Sequence, residues 1–139
     1  MPLEFVNPES LGAPKGWNHG VLAPREGRTL YIAGMAGWRE NELGKAPGFA
    51  AQFAHALDQA LTVLREAGGV PSDVARMTVY VTDLAEYRDS RAELGAIWRE
   101  RFGRHYPAMA LVEVSGLVDD GAKLEIETTA VIAANPGSR

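Results

Sequence analysis

Apolar positions change their period several times along the chain, and each change marks an element. After an extended start, NHGVLAP (18–24) and TLYIAGM (29–35) are short apolar runs joined by the turn REGR, which predicts two strands. ENELGKAPG (40–48) is a loop, in which Leu43-Gly44 marks a turn and Pro47 suits the first turn of a helix. From Phe49 the period lengthens to about 3.6 residues. Phe49, Phe53, Ala56, Leu57, Ala60 and Leu64 fall on one stripe, predicting a helix that Gly68-Gly69 stops. ARMTVYVTD (75–83) returns to strict alternation in β-branched and aromatic residues. Met77, Val79 and Val81 share one face, and Thr78, Tyr80 and Thr82 the other. Asp83 followed by Glu86 has capping-box spacing, so a second helix begins near Leu84. It runs through Tyr87, Leu94, Ile97 and Trp98 to Phe102 and ends at Gly103. AMALVEVSG (108–116) and KLEIETTAVIA (123–133) predict two closing strands, and the turn LVDDG between them would make them antiparallel neighbours. ANPGSR (134–139) is expected to be a disordered tail.

The order ββ-α-β-α-ββ defines an α/β (α+β) class: one domain, 1–139, with a mixed sheet and two helices on one face. Two amphipathic helices can cover only that face. Both closing strands are apolar on both parities apart from their glutamates, so a monomer would leave apolar side chains wet. A homo-oligomer that buries the second face resolves this. No internal repeat complicates the reading.

Composition narrows the function. At 46% hydrophobic and 23% charged residues, the chain can form an ordered core. Its net charge of −4, without a Lys/Arg run, argues against nucleic acid or an anionic membrane as partner. The absence of cysteine excludes disulfides, thiolate nucleophiles and Cys-based metal sites. Three histidines, His19, His55 and His105, are scattered with no i,i+4 pair, so neither a metal nor a cofactor is expected. His19 and His105 read as imidazoles tied into a subunit interface rather than as proton shuttles, and His55 as a surface residue. Trp98, at helical spacing with Leu94 and Phe102, belongs to the core. The first residues lack the basic and apolar regions of a signal peptide, so a cytoplasmic protein is expected.

Six stretches, in order, resemble the RidA (YjgF, endoribonuclease L-PSP) family across about residues 5–133: GWNHGV, TLYIAGMAG, FAAQFAHALDQALTVLREAGG, DVARMTVYVTDLAEY, YPAMALVEVSGL and LEIETTAVI. The resemblance implies a chorismate-mutase-like fold and a homotrimer with ligand clefts between subunits. It also implies a deaminase (hydrolase) activity that releases ammonia from reactive enamines and imines. In the family an arginine after Pro-Ala holds the substrate carboxylate in the bidentate way that suits a planar guanidinium. A glutamate on the last strand, with a main-chain carbonyl, directs a water at the imine carbon. Aligned here, that glutamate is Glu125 and the carbonyl is that of Leu111. The arginine is missing, and Met109 stands in its place.

Other departures point the same way. The family's Ser-Gly-Gln after the second strand is Ala33-Gly34-Met35, and a frequent tyrosine aligns with Trp17. Trp17, Met35 and Met109 would line a softer, more apolar cleft, suited to a flat or aromatic ligand. Gly34 lets backbone approach a ligand or a neighbouring strand. Arg39 is a candidate to replace the lost cation, although a solvated loop charge is its simpler role. Glu127 reads as a solvated strand residue. Two functions follow: an enamine or imine hydrolase acting on something other than the small 2-imino acids, or a non-enzymatic ligand-binding or accessory trimer. Ribonuclease activity fits the acidic charge poorly.

Overall fold

The stripe that begins at Phe49 becomes an 18-residue helix, α1 (Phe49–Glu66), and every predicted stripe residue is buried. Its end is a Schellman motif. Gly68 takes φ +86°, where a β-carbon would be strained, its N–H donates to Arg65, and Gly69 donates to Leu64 at 2.9 Å. The computed structural model describes residues 3–39 and 44–133; part of the loop 40–48 and the expected tail at 134–139 lie outside them.

Beneath α1 lies a four-stranded sheet in the order β3-β6-β4-β5, from β3 (Arg28–Ala36), β4 (Val74–Val81), β5 (Ala108–Glu113) and β6 (Leu124–Ile132). Alternation decides the faces. Met77, Val79 and Val81 of β4, with Leu124, Ile126 and Ala130 of β6, point into the core against α1.

Four details differ from the sequence expectations. The closing strands are not neighbours: β4 lies between them, antiparallel to β6 and parallel to β5. A tight hairpin turn would have paired them. The connection 114–123 is instead long enough to step across β4, and it is held there by Val114 N–H to Val81 O and Thr82 N–H to Lys123 O. The second helix is two, α2 (Leu84–Asp89) and α3 (Arg91–Phe102), broken at Ser90. Asp83 does cap α2, accepting from Ala85 N–H, but Glu86 pairs with Lys123 at 2.9 Å instead of completing the box, and Leu84 N–H donates to Glu113. Finally, β2 (Gly20–Leu22) pairs with β1 (Glu4–Val6) in the extended start rather than with β3.

A buried amide ties the loops at one end of the sheet. Gln52 is fully buried, donates to Pro47 and Gly121 carbonyls, and accepts from Lys123 N–H. Since each of these groups would otherwise be orphaned, the amide fixes where β6 begins, one residue before Glu125.

Candidate functional site

The register on β6 sends Glu125, Glu127 and Thr129 to the face opposite the helices. That face lacks a cover within the described chain: Tyr31 is 80% exposed and Val112 43%. Between Ile32 and Met35 the β3–β6 register shifts by one residue, a β-bulge at Ala33-Gly34. The Glu125 carboxylate occupies the space where a β-carbon on Gly34 would stand. Glycine there is a packing requirement, and it holds the half-buried carboxylate against backbone. Nearby, Tyr80 donates to Glu127 at 3.1 Å. Its phenol is held above its ordinary pKa, first by that bond, then by desolvation and the charges of Glu127 and Glu125. Glu127 is exposed, as expected of a solvated strand residue.

Met109 belongs to a different place. It is in register with Met77 and Leu111 with Val79, so both side chains face the helices from the edge strand β5. Two cavities meet there. One, about 260 Å³, is lined by Trp17, Asn18, His19 and Met109 together with Arg76, Ala108 and Ala110, which have the parity of the open face. The other, about 280 Å³, lies between β5 and the helices, with Met109, Leu111, Phe53, Tyr87, Arg91 and Trp98 in its wall. Trp17 lines the same cavity as Met109, and its neighbour Asn18 is pinned: the Asn18 N–H donates to Pro107 O at 3.1 Å and its side-chain amide to Tyr106 O.

The sequence residues therefore fall into two groups. Glu125 and Gly34 meet on the open face, whereas Trp17, Met109 and Leu111 meet at the β5 edge. The expectation that Glu125 sits beside Met109 and Trp17 rested on pairing β5 with β6, and the interposed β4 removes it for a single chain. Met35 packs against the core, and its sulfur lies 4.0 Å from Arg39 Nη2; neither residue lines the two cavities. His105 is tied within the chain, with Nε2 2.7 Å from Val74 O and its carbonyl accepting from Trp98. His19 is held by Asn7 at 3.1 Å and meets the Trp17 ring edge-on. His55 is exposed and Trp98 is core.

Sequence reasoning missed Arg76 and Arg91, the two cations at the cavities. The i,i+4 spacing of Tyr87 and Arg91 was a usable signal: the guanidinium carbon lies 5.6 Å from the ring centroid.

A mixed sheet with helices on one face, an open opposite face and a bulge that seats a carboxylate defines a class of small α+β proteins. Comparison places this chain within it. Residues 8–132 match the family described as endoribonuclease L-PSP, and the chain belongs to that family, the RidA/YjgF group. It is 30% identical over 131 residues to the 3-aminoacrylate deaminase RutC of Acinetobacter baylyi, covering 94% of this chain and 98% of that protein. Among solved structures it is similar to the Rid-family protein YyfB of Yersinia pestis, with 32% identity, TM-score 0.80, and 95% and 100% of the two chains covered. RidA of a Psychrobacter species gives 28% identity, TM-score 0.62, and coverage of 87% and 92%. Among the described residues no helix is long and apolar enough to cross a membrane.

Proposed function

We propose that this protein is a RidA-like hydrolase that deaminates an enamine- or imine-type small molecule at a cleft between two copies of the chain. The observation that carries the proposal is the Glu125 carboxylate seated on Gly34 at the bulge, on the face left open for another copy. There Glu125 acts as the base: water adds to the imine carbon while its proton passes to the carboxylate. Return of that proton to nitrogen gives the carbinolamine, and transfer of its hydroxyl proton to the same nitrogen through Glu125 breaks the C–N bond, releasing ammonia and a carbonyl product. The deaminase name of the Acinetobacter relative supports this reaction class. The β5 edge of the second copy, with Trp17, Met109 and the Leu111 carbonyl, supplies the binding wall. Three chains of 15.0 kDa give an assembly of about 45 kDa.

Met109 decides the substrate. Losing a bidentate carboxylate contact removes on the order of 1.5–3 kcal/mol of binding, so the small 2-imino acids are poor substrates. The same thioether favours the second reading, a ligand-binding or accessory trimer without turnover. Ammonia release from imines generated in solution, with semicarbazide as competitor, separates them. Imines of small amino acids should be hydrolysed poorly, bulkier ones faster, and Met109→Arg should raise activity on the small ones. No release from any imine, with a 45 kDa assembly by light scattering, would favour the accessory reading; a stable monomer would contradict the intersubunit cleft.

A further inference from the structure

With the family arginine missing, two cations from other elements remain near Met109: Arg76 at the first cavity and, at the more apolar second cavity, Arg91. Arg91 opens α3, and Leu94, Gly95 and Trp98 follow at helical spacing on the same cavity wall. Gly95 contributes no side chain one turn after Arg91, so the cavity reaches the helix backbone there, with the Arg99 guanidinium over the glycine. Phe53, Val79, Leu94, Trp98 and Met109 make the interior apolar. Among the described residues Arg91 forms no ion pair; its partner is the face of Tyr87, which orients the guanidinium without neutralising it.

We infer that Arg91 is the anion anchor of this protein's binding site, and that its ligand is a carboxylate carrying a flat or branched apolar body. The inference rests on the hydrolase reading for the reaction but names a residue and a ligand class that the reading lacks. An apolar pocket with one cation at its wall selects an amphipathic anion, because the body gains from burial and the carboxylate from a charge-assisted bond. At about 280 Å³ the cavity lies just below the usual range for small-molecule sites, room for about one ring and its carboxylate. A thioether at Met109 then becomes intelligible. With the anion held from the helix, the strand position is released from charge and contacts the apolar body.

Calorimetric titration with phenylpyruvate and with its primary amide tests this directly. The wild-type chain should bind the acid at least about 10-fold more tightly than the amide. Arg91→Gln should erase that preference, Arg91→Lys should retain part of it, and added salt should reduce it in the wild type. Arg91 is exposed, and an unchanged melting temperature would show that the variants fold. Preference surviving in Arg91→Gln, or no binding of the acid by the wild type, would overturn the assignment. Ammonia release from the imine of phenylalanine, generated in solution and read on the same protein preparations, separates the two ideas. Binding through Arg91 without release sinks the hydrolase and keeps the anchor; release indifferent to Arg91→Gln sinks the anchor and keeps the hydrolase.

Discussion

The two faces of the sheet are built from the same strands and do different work. On the helix face, Met77, Val79, Leu124 and Ile126 are almost wholly buried, and a cavity opens at the β5 edge, around Met109. On the other face, Tyr31 and Val112 are exposed and Glu125 rests in a bulge. The first face holds the cavity beside Met109 and the second carries the carboxylate. Alternation with a period of two forbids both from serving one pocket in one chain, since Met109 and Glu125 point to opposite sides. In the function proposed above, the binding wall and the base come together where the open face of one copy meets the edge of another.

The substitution that breaks this division most severely is Glu125→Gln, which keeps size and hydrogen bonding but removes the base. On a substrate the wild type turns over, a loss on the order of 100-fold or more is expected in steady-state ammonia release, with assembly unchanged by light scattering. Normal turnover would remove Glu125 from the mechanism. Gly34→Ala probes the seat rather than the base. The added methyl would occupy the carboxylate's place, so Glu125 must move. Turnover is expected to fall about 10-fold or more, mostly in kcat, because a carboxylate displaced by an ångström no longer directs its water. An unaffected kcat would show that the bulge is structural only. The smallest effect belongs to Tyr80. Its phenol should ionise above the usual value of about 10, and Glu127→Gln should lower it. Since the folded chain holds that proton more tightly, the contribution to stability is present below pH 10 and fades as pH rises beyond it. Phenolate absorbance that ignores Glu127→Gln would contradict the contact.

The helix stripe and strand alternation were legible because burial repeats with the backbone period. Phe49 to Leu64 and Met77 to Val81 could be assigned to the core before any coordinates. Strand order was not legible. Nothing in LVDDG announces a connection that steps over β4, because local turn chemistry is silent about which strand fills the gap. That single misplacement put Glu125 beside Met109. Gly34 was recognised as a point of close approach, but its occupant, Glu125, depends on a register shift that alternation cannot reveal. Arg91 was passed over because it lies near the break at Ser90, inside what periodicity reads as one helix, and its value comes only from the cavity it lines.

Mixed assemblies test the division of labour most directly. Glu125→Gln has a sound binding edge and no base; Met109→Glu has a sound base and a like charge where an anionic substrate must approach. Each alone should be nearly inactive. Refolded together in equal amounts, about one cleft in four pairs a sound Glu125 from one copy with a sound edge from its neighbour. Ammonia release should then recover to about a quarter of the wild-type rate. If the mixture, shown by light scattering to contain hybrid assemblies, stays as inactive as its parents, Glu125 and the Met109 edge do not meet across an interface.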